Sequence, residues 1–252
     1  MNLFDLSGKR ALVTGGSRGL GYGMAEGLLE AGAHVVILGK SPHVHTVAAD
    51  FRNKGYLCSS VQADLACSSE RKKAFEEALH ILNGIDILVN AAGITFRHES
   101  RGYPRESWEN ILEVNVTAPF EFCQLAAEEF FKQNYGKIIN VSSMMAFFGA
   151  TIAPAYATSK GAITQMSKSL CNEWASRGIN INCVAPGFME TDMNQAIWTD
   201  DIPRYKEICR RIPAGRWGTP QDMKGITVFL ASHASDYLNG TVIPIDGGYL
   251  VR

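Results

Sequence analysis

The sequence has no pair of cysteines two residues apart and no histidine at zinc-ligand spacing from any of its six cysteines, Cys58, Cys67, Cys123, Cys171, Cys183 and Cys209. Neither a disulfide framework nor a structural metal is supported, no metal site is expected, and the cysteines read as the reduced thiols of a cytoplasmic protein. A long apolar run is also missing. Residues 1–10 carry Asp5, and the strand-like segment that follows is too short for a signal-peptide core or a membrane span. Charge of one sign is not in excess either: 24 Lys and Arg face 25 Asp and Glu, for a net charge of −1. That balance argues against partners recognised by bulk charge, nucleic acid and membrane surfaces among them, and points to a small-molecule substrate recognised locally. With no internal repeat, low-complexity tract or Pro/Gly/Ser-rich linker, the 252 residues, 46% of them hydrophobic, read as one domain, 1–252, with a well-buried core.

Short apolar, β-branched runs recur at Arg10–Thr14, His34–Leu38, Leu57–Gln62, Ile85–Asn90, Gly136–Val141, Asn180–Ala185 and Val242–Ile245. Between them, Leu20–Ala31, Ser68–Leu82, Arg105–Gln133, Ala155–Arg177 and Pro220–Ala231 have helical length and periodicity. Strands buried on both faces between helices imply an α/β fold, a doubly wound, Rossmann-like parallel sheet of seven strands. In such sheets ligands sit outside the carboxyl ends of the strands, so the residues that follow each run are the ones to inspect. One long excursion, residues 187–219, lies between the sixth strand and the last long helix and reads as a substrate lid.

The first run leads into Thr14-Gly15-Gly16-Ser17-Arg18-Gly19-Leu20-Gly21 and then directly into a helix. Glycines there let the backbone turn tightly and approach a pyrophosphate, which the N–H groups and dipole of the helix N-terminus bind. Taken as a bare pattern the segment could be an ordinary Gly-rich turn; its place between the first strand and the first helix favours a nucleotide site. No Lys-Ser/Thr pair follows, which excludes a phosphate-binding loop of the kinase type. After the fourth run, Asn90-Ala91-Ala92-Gly93 offers small residues where a bulky side chain would block a flat ring, although it also reads as a plain turn. Asp64 after the third run either bonds an adenine amino group or caps the helix near Ser68. Tyr156 and Lys160, four apart in a helical segment, project from one face toward a shared ligand, with Ser143 just beyond the fifth run.

Together, Thr14-Gly15-xxx-Gly19-x-Gly21, Asn90-Ala91-Ala92-Gly93, Ser143, Tyr156-xxx-Lys160 and Pro186-Gly187 resemble the short-chain dehydrogenase/reductase family, in order and along the whole chain. The family's second Asn before Ala-Gly is Ala91 here. The resemblance implies catalysis by Asn115, Ser143, Tyr156 and Lys160. It also implies cofactor contacts from Gly15, Ser17, Arg18, Gly19, Leu20, Gly21, Lys40, Asp64, Leu65, Asn90, Ala91, Gly93, Tyr156, Lys160, Pro186, Gly187, Met189 and Thr191. Tyr156 would exchange the proton, Lys160 would supply a fixed charge and hold the nicotinamide ribose, Ser143 would bond the substrate oxygen, and Asn115 would order a water-mediated proton path. The family also implies a homo-oligomer, a tetramer; the long segments Arg105–Gln133 and Ala155–Arg177 carry more apolar surface than one sheet face needs.

The second run ends Leu38-Gly39-Lys40-Ser41 without an acid to bond a ribose 2′-hydroxyl, while Arg18 and Lys40 suit a 2′-phosphate. NADP(H) is favoured, with NAD(H) the alternative. Asn172-Glu173-Trp174, the segment Arg211-Ile212-Pro213-Ala214-Gly215-Arg216-Trp217-Gly218 and the C-terminal Asp246-Gly247-Gly248 resemble the branch of the family acting on gluconate-type sugar acids. Arg97, four residues after Gly93, offers a planar fork for a substrate carboxylate, with Ser143 and Tyr156 on the reacting oxygen. Arg204, Lys206, Arg210 and Arg211 read as a solvated helix face, and Arg216 and Trp217 as positioning the lid or packing between subunits. Three other readings remain: a 3-oxoacyl-(acyl-carrier-protein) or other carbonyl reductase; a sugar-nucleotide epimerase or dehydratase, which would need a larger C-terminal domain; and a non-catalytic nucleotide sensor, which would be expected to lose Ser143, Tyr156 or Lys160.

Overall fold

The computed structural model describes residues 3–252, so Met1 and Asn2, at the start of the segment read above for a leader, lie outside the described residues. The seven runs form one sheet: β1 (Arg10–Thr14), β2 (His34–Gly39), β3 (Cys58–Gln62), β4 (Ile87–Asn90), β5 (Gly136–Val141), β6 (Ile179–Pro186) and β7 (Val242–Ile245). Every pairing is parallel, and the order is β3-β2-β1-β4-β5-β6-β7. The order reverses between β1 and β4, and this switch point opens a crevice at the carboxyl ends of both strands.

Helices cover both faces: α1 (Gly19–Glu30), α2 (His43–Asn53) and α8 (Lys224–Ala231) on one, α3 (Ser68–Leu82), α5 (Ala118–Gln133) and α6 (Pro154–Trp174) on the other. Side-chain alternation along the strands divides the core accordingly. Ala11, Val13, Val35, Ile37, Ile87 and Val89 pack with Met24, Leu28, Val44, Phe51 and Leu230, whereas Leu12, Val36, Leu88 and Ile138 pack with Phe75, Phe122, Phe130 and Leu170. Arg10 on β1 clasps Asp86, just ahead of β4, through Nε at 2.8 Å and Nη2 at 3.0 Å. This bidentate pair pins the two strands at the end opposite the crevice.

Two departures from the sequence pattern matter. The helix α2 is not among the segments the sequence predicts, yet its buried residues Val44, Val47, Ala48 and Phe51 follow helical spacing; two histidines and β-branched neighbours mask the period. The segment expected as one helix from Arg105 to Gln133 is divided into α4 (Arg105–Leu112) and α5 by a wide π-helical turn, Glu113–Thr117. Such an insertion rotates the side chains beyond it and is frequent at functional sites. The excursion over residues 187–219 has structure of its own, with α7 (Ile202–Arg211) at its centre. Among the described residues no helix is long and apolar enough to cross a membrane.

Candidate active site

At the crevice, β1 ends on Thr14, whose hydroxyl accepts from the backbone N–H groups of Ala91 and Ala92 at 3.1 and 3.2 Å. The carboxyl ends of β1 and β4 are thereby tied together. Gly15 sits at φ +67°, and a Cβ there would lie 2.8 Å from Ala92 Cα; one at Gly21 would run into the Gly15 carbonyl. Gly19 opens α1 at φ +54°, with the Thr191 methyl 3.5 Å from where its Cβ would stand. Arg18 at the N-cap gives no side-chain cap, and the first turn carries no acid, so the N–H groups at this helix start have no anionic side chain of their own. The tight loop and uncapped helix fit a pyrophosphate. Ser17 touches the end of β2, its Oγ 3.0 Å from the Cβ position of Gly39, and Leu20 packs on the core beneath.

Around the outer rim the candidates are arranged less simply. Lys40 is exposed, but its Nζ pairs with Asp64 Oδ2 at 2.7 Å, while Asp64 Oδ1 accepts from Ala66 N. Asp64 therefore orients Lys40 and its own turn rather than capping α3, whose N-cap is Cys67. Leu65 is held through its carbonyl by Arg71 at 2.7 Å. Arg71, 1% exposed, is itself clasped by Glu113 at 2.7 Å and Glu121 at 2.6 Å. Sequence reasoning passed over Arg71; its position on the buried face of α3 was the available signal. Asn90 departs most from expectation. Its side chain turns into the core, donating to Asn140 Oδ1 at 2.8 Å, and the residue is 3% exposed.

Ser143, Tyr156, Lys160 and Asn115 converge at the carboxyl ends of β4 and β5. Lys160 is 4% exposed, and its Nζ donates to the Val141 carbonyl at 2.7 Å and stands 5.4 Å from the centroid of the Tyr156 ring. Asn115 sits in the π-helical turn, where Oδ1 accepts from Ile94 N at 2.9 Å and Nδ2 donates to the Ile94 carbonyl and Ser159 Oγ, each at 3.0 Å. A Cβ on Gly93 would lie 3.5 Å from Asn115 Oδ1 and 3.7 Å from Lys160 Nζ, so a longer side chain there would fill the space beside the ammonium. Ser143 caps a short 3-10 turn, accepting from Met145 N at 3.2 Å. Burial pushes the Lys160 ammonium down to about 8. It also holds the Tyr156 phenol above its ordinary value, against the opposing pull of the adjacent Ser143 hydroxyl and the positive Arg97.

Arg97, on the loop after β4, reaches across the mouth and donates from Nη2 to Asn194 Oδ1 at 3.0 Å. Pro186 ends β6, and Gly187 packs so closely on Asp246 that a Cβ would lie 2.8 Å from its Cα. Met189 pairs with Gly218 in an isolated bridge, flanked by bonds from Gly218 N to the Phe188 carbonyl and from Glu190 N to the Gly218 carbonyl. Over residues 187–219 a small core forms around Trp217, 1% exposed, with Phe188 and Tyr205 at ring-centroid distances of 5.1 and 5.2 Å. Arg216 instead clasps Asp222 through two bonds of 2.8 and 2.7 Å. Trp217 and Arg216 thus organise this segment within one chain. Among the described residues no group of three or more His, Cys, Asp or Glu could hold a metal ion.

Comparison with known proteins agrees with this geometry. The family model described as short chain dehydrogenase matches residues 9–202. The 2-dehydro-3-deoxy-D-gluconate 5-dehydrogenase of Dickeya dadantii is 43% identical over 256 residues, covering 100% of this chain and 99% of the relative. The 3-oxoacyl-(acyl-carrier-protein) reductase of Aquifex aeolicus is 39% identical over 245 residues, 96% of this chain and 98% of the relative. Among solved structures, a gluconate 5-dehydrogenase from Burkholderia cenocepacia in complex with NADP and tartrate superposes with a TM-score of 0.95 at 37% identity, covering 100% of this chain and 98% of that one.

Proposed function

The chain belongs to the short chain dehydrogenase family, and we propose that it is an NADP(H)-dependent oxidoreductase interconverting a secondary alcohol and a ketone on a gluconate-type sugar acid. The observation that carries this reading is the grouping of Ser143, Tyr156 and Lys160 beneath a positive Arg97 close enough to act on the phenol. A nicotinamide cofactor, when bound, supplies the hydride donor or acceptor. Everything else is the work of the chain. Gly15, Gly19, Gly21 and the start of α1 fit the pyrophosphate, with Ser17 and Leu20 beside it. Lys40 and Arg18 suit a 2′-phosphate, and the backbone of Asn90, Ala91 and Leu65, with Asp64, lines the adenosine end. Gly93, Pro186, Gly187, Met189 and Thr191 line the nicotinamide end.

Tyr156 exchanges the proton with the substrate oxygen. With its phenol held high by burial, it is protonated across neutral pH and is a competent acid for the reduction direction. In oxidation the phenolate needs a nearby positive charge, which the Lys160 ammonium supplies and to which Arg97 adds. Ser143 donates to the substrate oxygen where negative charge develops. Asn115 holds the Ile94 backbone and Ser159 in register behind them. The segment 187–219 acts as the lid, and Arg97 takes the substrate carboxylate. The test is Tyr156→Phe: turnover should fall by at least 10³-fold, taking the upper part of the general acid–base range, with cofactor binding retained. Turnover near the unmodified rate would refute the assignment.

The reading extends to a cytoplasmic homotetramer, supported by the family and by the exposed Phe120 on α5. Light scattering on the purified protein measures the assembly. The reductase of Aquifex aeolicus keeps a second substrate class in view, acyl thioesters of a carrier protein. Arg97 favours the sugar acid, because a β-ketothioester has no free carboxylate at its reacting end.

A further inference from the structure

Three consecutive residues leaving β5 each engage a different part of the Tyr156–Lys160 turn. The Val141 carbonyl accepts from Lys160 Nζ at 2.7 Å, and the Ser143 hydroxyl lies beside the Tyr156 phenol. Ser142 lies between them. Its Oγ is 3.0 Å from the Lys160 carbonyl oxygen and 2.9 Å from Thr164 Oγ1, which is in turn 3.0 Å from the same carbonyl. Ser142 is 1% exposed and Thr164 9%. Two hydroxyl protons serve three contacts, so one hydroxyl donates to the carbonyl while accepting the proton of the other. A helical threonine bonding to the carbonyl four residues back is routine. Here a second hydroxyl, from the residue just beyond β5, enters that same carbonyl and ties the backbone of Lys160 to the strand end whose Val141 carbonyl holds its side chain. The sheet-facing stripe of α6 continues in kind: Ser167 Oγ accepts from Asn140 Nδ2 at 2.8 Å, where a packed helix ordinarily presents aliphatic residues.

We propose that Ser142 and Thr164 are a positioning pair for Lys160, fixing the rotation and height of α6 so that its ammonium stays against the Tyr156 ring. The proposal rests on the reading of Lys160 as the fixed charge that favours the Tyr156 phenolate. With both ends of the lysine anchored to Val141–Ser142, the ammonium cannot withdraw along the helix when its long side chain is freed by a change at the mouth. Without the hydroxyl pair the carbonyl anchor is lost while the packing of the turn is kept. The titratable groups facing Tyr156 and Lys160 from neighbouring elements, among the described residues, are Cys183 on β6 and Arg97 on the loop after β4.

The test uses two deletions, Ser142→Ala and the double variant Ser142→Ala with the isosteric Thr164→Val, beside Thr164→Ser, which keeps both hydroxyls. Two quantities are read on protein verified as folded by circular dichroism: the acidic limb of kcat/KM against pH in the oxidation direction, and the dissociation constant for reduced nicotinamide cofactor by fluorescence titration without substrate. The acidic limb should move to higher pH by about half a pH unit or more in Ser142→Ala and in the double variant, because both lose the tie to the Lys160 carbonyl and the phenolate loses its charge partner. Cofactor binding should weaken several-fold, and Thr164→Ser should behave as the parent in both. If one of the two deletions fails to fold, the other decides. Parental limb and parental cofactor affinity in a folded deletion variant, even one with a lowered melting temperature, would overturn the proposal. Failure of the underlying reading looks different: Tyr156→Phe would then retain turnover, whereas failure of the positioning pair alone leaves Tyr156→Phe inactive and the hydroxyl deletions unchanged.

Discussion

Arg97 donates to Asn194 Oδ1 at 3.0 Å, joining the loop after β4 to the segment that follows β6 across the mouth of the crevice. On the proposed reading a substrate carboxylate competes for the same guanidinium and offers a charged, two-pronged acceptor in place of a neutral amide. Arg97→Gln should therefore raise KM for a keto-sugar acid by roughly ten- to hundredfold, the equivalent of a charged hydrogen bond worth about 1.5–3 kcal/mol. A neutral polyol should be handled as before. Steady-state kinetics with a matched acid and alcohol substrate checks this, and an equal loss on both would remove Arg97 from the carboxylate site.

On the proposed reading Lys40 selects the cofactor through its charge, and Asp64 pairs with it at 2.7 Å. Lys40→Ala should raise KM for NADP(H) about tenfold, the scale of one charge-assisted contact at an exposed site. The value for NAD(H) should be unchanged or lower. Parallel titrations of the two cofactors measure the ratio; an unchanged ratio would return the phosphate to Arg18 alone.

Lys160 carries a cost in stability. Its folded value of about 8 lies below the 10.5 of the unfolded chain, a gap worth about 3 kcal/mol. Between those two pH values the unfolded chain holds a proton that the folded one has released, so this contribution to stability rises with pH across the window and is least favourable below pH 8. Lys160→Met removes the buried charge and one ammonium hydrogen bond of about 1.5–3 kcal/mol, leaving a net gain of at most about 1.5 kcal/mol at pH 7. The melting midpoint should rise by no more than roughly 3–6 °C while turnover is lost, and the gain should shrink as pH approaches 10. A lower midpoint at pH 7 would contradict this balance.

Gly93 permits a graded experiment. Its Cβ position has ordinary contact distances to Asn115 Oδ1 and Lys160 Nζ, so Gly93→Ala should retain most activity. Gly93→Val extends into the space beside the ammonium and should weaken cofactor binding by tenfold or more, about 1.4 kcal/mol, with the fold intact. Equal behaviour of the two variants in a fluorescence titration would show that this space is not used.

The sequence by itself determined the parallel sheet, because strands buried on both faces write continuous apolar runs; it marked the glycine loop and Ser143 by their place after strand ends and Tyr156 and Lys160 by their four-residue spacing, a set made specific by its resemblance to the family. Local composition suffices where the physics is local: a tight turn needs glycine, and two side chains four apart on a helix share a face. Tertiary structure decided the rest. Asn90 looked like a crevice residue and proved to be a core amide bonded to Asn140 on the neighbouring strand, a contact between residues 50 apart. The break at Glu113–Thr117 leaves no mark in the periodicity, since one inserted residue per turn shifts the apolar pattern too little to be read, yet it aims Asn115 at Ile94. Arg71 and Ser142 were passed over for a related reason. An arginine among charged neighbours and a serine beside another serine have no pattern of their own, and their roles come only from the glutamates and the lysine carbonyl that folding brings to them.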